Sequence, residues 1–282
     1  MPEQITIIAE NRVSPGRGLI AEHGFSALVE LEGYKLLFDT GQGFAIKQNQ
    51  ALLGYDLSQI DALVLSHGHY DHTGGLKYVL EKRAGIKIYL HPSALLPRRV
   101  KRKLLDKEIE LDIGIGLTRQ EIEDQGGELV FLEEPLELAE GRILITGPIP
   151  LKVGFETPEP GFFIAQNGNF VPDDFPDDLA IAIRSGEEIS VIFGCAHRGA
   201  INTLRRIKEL WNFKQIKIIL GGTHLFDRTP EQVEMTISEF EQFSPEKIAV
   251  GHCTGDKVLC QLAQRFPDKF IFPASGLRIP LE

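Results

Sequence analysis

The sequence predicts an α/β sandwich, and two observations carry that reading. Five short apolar runs of strand length alternate with amphipathic segments of helical length, and a histidine follows each of the five runs within a few residues. Such alternation buries sheets against helices instead of building an all-α or all-β domain. In open α/β sheets, ligands gather beyond the carboxyl ends of the strands. A chain that places five of its eight histidines there, His67, His91, His197, His224 and His252, is organised around one rim.

The elements follow in chain order. Residues 26–32 (SALVELE) and 35–39 (KLLFD) flank Gly33-Tyr34 and predict a hairpin. The apolar runs are 62–66 (ALVLS), 86–90 (IKIYL), 189–193 (ISVIF), 216–220 (IKIIL) and 247–250 (KIAV). Amphipathic segments at 75–83, 201–213 and 229–243 predict helices, and the last opens with a cap residue, a proline and an early acid, Thr229-Pro230-Glu231. From about 97 to 176 the pattern weakens, punctuated by Pro148, Pro150, Pro158, Pro160, Pro172 and Pro176 among others. An irregular stretch of that size exceeds what a connection needs. It reads as an insertion or lid over the active site, within a single domain spanning 1–282.

Composition excludes several classes. Hydrophobic residues at 43% and charged residues at 25% describe a globular chain and argue against disorder. A net charge of −10 opposes approach to phosphate polymers, so no nucleic-acid partner is expected. No apolar run reaches the roughly 18 residues of a membrane span, and the N-terminus lacks the pattern of a signal peptide. Three cysteines, Cys195, Cys253 and Cys260, lack C-x-x-C spacing, so a reducing, cytoplasmic setting is expected. One basic run, Pro97-Arg98-Arg99-Val100-Lys101-Arg102-Lys103, reads first as a solvated helix face. Its sharper reading is a clamp for an anionic small molecule.

The chemistry concentrates in Ser66-His67-Gly68-His69-Tyr70-Asp71-His72. Three imidazoles and a carboxylate directly after a buried strand are ligands suited to zinc, and also to iron or manganese. Left unpaired, so many polar groups at a strand exit would be costly.

This His-x-His-x-Asp-His cluster resembles the signature of the metallo-β-lactamase superfamily. Leu37-Phe38-Asp39-Thr40-Gly41 is similar to that family's upstream element, and Val250-Gly251-His252-Cys253-Thr254-Gly255 to its last motif. The resemblance implies a four-layer αβ/βα sandwich with two divalent metal ions between the sheets, zinc first, with iron, manganese or magnesium as alternatives. It implies His67 and His69 on one ion, and Asp71, His72 and His252 on the other, with Asp39 supporting the metal loop. The middle of the chain departs from the common pattern. Cys195 falls where a bridging aspartate would be, so His197 is expected to supply the remaining imidazole and Asp178 an oxygen. DDLAIAI, GCAHRGAIN and GGTHL resemble a narrower branch, grouped with 7,8-dihydropterin-6-methyl-4-(β-D-ribofuranosyl)aminobenzene-5′-phosphate synthase.

Two activities follow from the resemblance. The first is a metal-dependent hydrolase acting on a small, phosphate-bearing or otherwise anionic substrate, with Asp71 orienting the nucleophile. The alternative is a dihydropterin diphosphate-dependent transferase, in which residues 98–103 and Arg198 contact phosphate. His224 is a candidate for substrate contact or proton transfer; His91 reads as structural; Cys195 and Cys253 are left without a role. A metal-free scaffold is the non-enzymatic rival. Flavodiiron reductases are set aside because they carry glutamate at the second histidine of the cluster, and tRNA-processing nucleases because of the acidic balance.

Overall fold

The computed structural model describes residues 2–281 apart from Arg17 and Asp106. The chain begins with strands β1 (Gln4–Ala9), β2 (Ser26–Leu31) and β3 (Tyr34–Phe38), helix α1 (Phe44–Leu53) and strand β4 (Ala62–Val64). Next come α2 (Tyr70–Thr73), α3 (Leu76–Lys82), β5 (Lys87–Leu90), β6 (Arg98–Leu104), β7 (Lys107–Asp112), α4 (Arg119–Asp124) and β8 (Glu128–Phe131). Strands β9 (Leu136–Leu138), β10 (Ile143–Ile145), β11 (Phe162–Gln166), β12 (Asn169–Pro172), β13 (Ala180–Ser185) and β14 (Glu188–Phe193) precede α5 (Ala200–Leu210). The last elements are β15 (Gln215–Gly222), α6 (Pro230–Phe243), β16 (Lys247–Gly251), α7 (Asp256–Arg265) and β17 (Arg278–Pro280).

The expected hairpin forms as β2 and β3, and all five apolar runs become strands. One sheet has the order β17-β1-β2-β3-β4-β5-β8, the second β16-β15-β14-β13-β10-β9. Within them β3, β4, β5 and β8 run parallel, as do β14, β15 and β16. Alternation along each strand divides its side chains between two faces. Ala27 and Val29 of β2 meet Ile181, Ile192 and Ile218 of the second sheet in a shared core, whereas Leu28 faces away. Beyond the first sheet, Ile46 of α1, Leu76, Val79 and Leu80 of α3 and Ile122 of α4 cover its outer face. Ile201 and Leu204 of α5, Val233 and Ile237 of α6 and Leu262 of α7 do the same for the second. The result is helix, sheet, sheet, helix: a four-layer αβ/βα sandwich.

Two expectations change. The 97–176 stretch divides, sending β8 to the first sheet and β9 and β10 to the second; β6, β7, β11 and β12 form a separate small sheet, ordered β12-β11-β6-β7. Asn167-Gly168 connects β11 to β12 with φ of 51° and 80°, the two-residue turn whose twist suits a hairpin. The basic run is strand β6, not a helix face. Strand alternation, which a charge count does not reveal, turns Arg98 inward, where only 1% of it is exposed. Arg98 Nε donates to Asp173 Oδ2 at 2.8 Å and its Nη2 to Asp177 Oδ1 at 2.6 Å.

Candidate metal centre

Five strand exits build the site. Asp39 follows β3, the 66–72 segment follows β4, His197 follows β14, His224 follows β15 and His252 follows β16. The approach is tight: a Cβ on Gly194 would run into Ser66 Oγ, so only glycine lets the β14 exit close on the β4 exit. Asp39, Ala196, His224 and His252 all hold positive φ, between 45° and 57°. Left-handed backbone costs a non-glycine residue on the order of 1–3 kcal/mol, and such strain gathers at functional sites.

Asp39 organises the cluster from beneath. Its Oδ1 accepts from Ser66 N at 2.7 Å, and its Oδ2 accepts from Ser66 Oγ at 2.7 Å and stands 2.6 Å from His72 Nδ1. A proton on His72 Nδ1 completes that bond and turns Nε2 toward the other side chains. Ser66 Oγ lies 2.8 Å from His67 Nδ1 and orients that ring in the same sense. Asn11 Oδ1 and Glu10 hold His252 through its Nδ1, at 3.0 Å, and its backbone N–H respectively.

Two sets of candidate donors result. In the first, His67, His69 and His197 offer ligand atoms within 4.8 Å of one another. His67 Nε2, His69 Nε2 and both ring nitrogens of His197 are buried with no hydrogen-bond partner. A buried polar atom left so costs about 1–3 kcal/mol. Burial holds all three imidazoles far below the usual histidine range, neutral as a metal ligand must be. The second set gathers Asp71, His72 and His252: His252 Nε2 lies 3.2 Å from His72 Nε2 and 3.3 Å from Asp71 Oδ2. Burial opposes the Asp71 charge, but His72 and His252 beside it outweigh that and hold its carboxyl well below the usual range. Burial likewise opposes a charge on His72, yet Asp39 and Asp71 raise it to about 9. Cys195 Sγ stands 3.1 Å from His72 Nε2 and falls within ligand reach of both His67 and His252, so it touches both sets. Orphaned buried nitrogens, an anionic carboxylate and a thiol in this arrangement fit a divalent ion.

The remaining predicted residues are placed differently. His224 lies beside the first set, its ring 4.3 Å from that of His197. Its Nδ1 is 2.7 Å from Glu159 Oε2, an ion-pair contact that misses hydrogen-bond angles. Asp178 has another partner than the one expected: its Oδ2 accepts from Arg198 N at 2.8 Å, and it joins neither donor set. There it fixes the loop that carries His197, and burial raises its carboxyl to about 7. His91 caps the short turn at Pro92–Leu95, accepting from Ser93 N. Arg198 Nη2 is 3.8 Å from Asp174.

A cavity of about 450 Å³ opens over the donors. Val100, Leu111, Ile113, Phe162 and Phe226 give it apolar walls, and Arg102 is the one lysine or arginine among the described residues lining it. The Arg102 guanidinium sits 4.7 Å over the Phe162 ring and its Nη2 donates to Glu159 at 2.8 Å. Phe175 stacks on His197 at 4.1 Å. Sequence reading missed Glu159, Phe162 and Phe175, since none sits in a motif and β11 offered only a short apolar run among prolines. Within the basic run, Arg98, Val100 and Arg102 share one face of β6, with Arg98 in the interior and Arg102 further along at the cavity.

Sandwich and donor rim together define a class. The metallo-beta-lactamase superfamily profile matches residues 19–160. The chain is 29% identical over 95% of its length, and 92% of the relative's, to the 7,8-dihydropterin-6-methyl-4-(beta-D-ribofuranosyl)-aminobenzene-5'-phosphate synthase of Methanocaldococcus jannaschii. An uncharacterized protein of that organism is 31% identical over 92% of this chain and 94% of its own. Among solved structures, Tm1679, described as a metal-dependent hydrolase of the beta-lactamase superfamily, superposes with a TM-score of 0.85 at 29% identity, covering 99% of both chains. The chain belongs to the metallo-β-lactamase superfamily. Among the described residues no helix is long and apolar enough to cross a membrane.

Proposed function

We propose that the protein is a metal-dependent hydrolase in which His67, His69 and His197 hold one divalent ion and Asp71, His72 and His252 the other, with Cys195 between them. The observation that carries this is the convergence of unpartnered, buried imidazole nitrogens in the first set beside the carboxylate-and-imidazole second set. Imidazole with thiol suits zinc best, iron and manganese less, and magnesium, which prefers oxygen, least. Bound there, such a pair supplies nucleophilic water near neutral pH and polarises a carbonyl or phosphoryl oxygen. The chain's own residues do the rest. Asp71 orients the nucleophile. His224, backed by Glu159, contacts the substrate or carries a proton at the cavity wall. The small sheet built from β6, β7, β11 and β12 closes over the site as a lid, and Arg102 selects a small substrate with an anionic group and an apolar body.

The test is elemental analysis of protein purified without chelator, followed by turnover of small phosphate esters and thioesters after reconstitution with single metals. Two ions per chain and metal-dependent turnover, abolished by His67→Ala, are expected; a chain that retains no metal overturns the proposal.

A second reading is favoured by the full-length similarity to the M. jannaschii synthase. In it, an aminobenzene ribosyl phosphate would displace the diphosphate of a dihydropterin diphosphate, with Arg102 and Arg198 as candidate phosphate contacts and the two donor sets holding the ions that would supply Lewis acidity. Diphosphate release that requires this acceptor selects the transferase; ester hydrolysis without it selects the hydrolase.

A further inference from the structure

His23 stands at the mouth of the cavity with its Nε2 3.3 Å from Asp71 Oδ2, a charge contact off the angle of a hydrogen bond. Its place is built. Phe25 N donates to Asp71 O at 3.2 Å, and a Cβ on Gly24 would come within 2.5 Å of the same oxygen, so this loop lies flush against the metal loop. Gln42 Nε2 donates to His23 O, and Glu22 accepts from the backbone N–H groups of Gln42, Phe44 and Ala45, which ties the other side of the loop to the start of α1.

His23, Asp71 and His252 are close enough to share an ion. What His23 does there depends on which ring nitrogen carries its proton, and Asn11 decides that. Two backbone groups of fixed polarity orient the Asn11 amide: Gly24 N donates to its Oδ1 at 3.3 Å, and its Nδ2 donates to His252 O at 3.2 Å. The same amide touches two imidazoles. Its Oδ1 is 3.0 Å from His252 Nδ1, so that nitrogen must carry the proton and His252 Nε2 keeps the lone pair a ligand needs. Its Nδ2 is 3.4 Å from His23 Nδ1, so that nitrogen must accept, leaving the proton of His23 on Nε2. One asparagine thus sets opposite tautomers on neighbouring rings.

We propose that His23 is a positioning residue, not a metal ligand: its Nε2–H offers Asp71 Oδ2 an electrostatic partner across the 3.3 Å contact and holds that carboxylate in place for the second ion. The inference rests on the two-ion reading above. Outer partners that orient a ligand are worth about 10–100-fold in metal affinity.

The experiment has two arms. In the metal-free protein, long-range proton–nitrogen NMR on the His23 ring is expected to show a protonated Nε2 and an unprotonated Nδ1. The reverse pattern overturns the proposal, whatever the metals do. In the second arm, zinc titration of His23→Ala is expected to show the weaker of two sites reduced about 10–100-fold, with the tighter unchanged. His23→Gln, whose side-chain amide can donate to the same oxygen, is expected to restore most of it. Melting of the metal-free variants at the wild-type temperature excludes misfolding. Unchanged affinity in His23→Ala, or a loss that His23→Gln fails to rescue, overturns the proposal. Wild-type protein that binds fewer than two ions also overturns it, through the two-ion reading, and the NMR arm tells the two failures apart.

Discussion

Removing the Arg98 guanidinium should unfold the protein at a markedly lower temperature without acting as the loss of a substrate contact. Arg98, Asp173 and Asp177 are all at least 97% buried. The guanidinium bonds both carboxylates and donates through Nη1 to Ser93 O at 2.9 Å. Asp177 Oδ2 in turn accepts from Gly68 N at 2.8 Å, so the network reaches the loop between His67 and His69. Arg98→Ala leaves two buried carboxylates with no cation between them, a change that costs about 3–5 kcal/mol. For a chain of this size that corresponds to a fall in melting temperature of roughly 5–9 °C. The deficit should also depend on pH. Burial already raises Asp173 above the ordinary carboxylate range against the pull of Arg98, and the variant raises it further. A carboxyl with a raised folded-state pKa destabilises more as pH rises through that range, so the loss should be smaller at pH 5 than at pH 8. Calorimetry of Arg98→Ala at the two pH values measures both effects. Adding Asp173→Asn and Asp177→Asn to Arg98→Met should recover most of the loss, since a network neutralised as a whole leaves no stranded charge. A melting temperature within 2 °C of wild type would refute the reasoning, and if it came with a raised KM for an anionic substrate, Arg98 would return as a substrate contact.

Other consequences concern the site itself. Arg102→Ala, at a partly exposed position, should leave stability within about 1 kcal/mol but lower kcat/KM on an anionic substrate roughly 10–100-fold, the worth of one charge-assisted hydrogen bond; equal loss on a neutral analogue would refute the selective role. In metal-free protein the raised pKa of His72, about 9, contributes stability that is present below the unfolded value of about 6.5 and disappears as pH rises through about 9. Denaturant titrations from pH 6 to 10 should show that decline in the wild type and much less of it in Asp39→Asn, which lacks the anion. Zinc binding at pH 7.5 should release a proton, read as a buffer-dependent enthalpy, because His72 must be neutral to coordinate.

Why some of this was legible in sequence and some was not has a physical basis. A strand buried on both faces is a continuous apolar run, and the runs at 62–66, 189–193, 216–220 and 247–250 announce the parallel strands whose exits carry the donors. The 66–72 cluster is legible because one tight turn supplies four donors together. Glu159, Phe162 and Phe175 reach the site from a segment without local periodicity, and only tertiary packing assigns them. Asp178 misleads for the opposite reason. It stands among residues of the right kind, yet an acid at a strand entry can serve a backbone N–H as readily as a metal, and here Arg198 N takes it. Arg98 and Arg102 have the same chemistry and share one face of β6, and only tertiary packing puts the first in the interior and the second at the cavity.

Cys195 is where sequence and structure together say more than either alone. By chain position it stands where a bridging aspartate is expected; in space it lies within ligand reach of both sets. A thiolate there would bring the same single negative charge as a carboxylate, so the electrostatic balance of a two-ion site would be kept. What would change is the ligand's softness and its number of donor atoms. One sulfur replaces two oxygens, which favours zinc or iron over magnesium. On the proposed reading this substitution ties metal choice to mechanism: if activity proves to require magnesium alone, Cys195 is not a ligand, and the second set must act through Asp71 and its imidazoles without it.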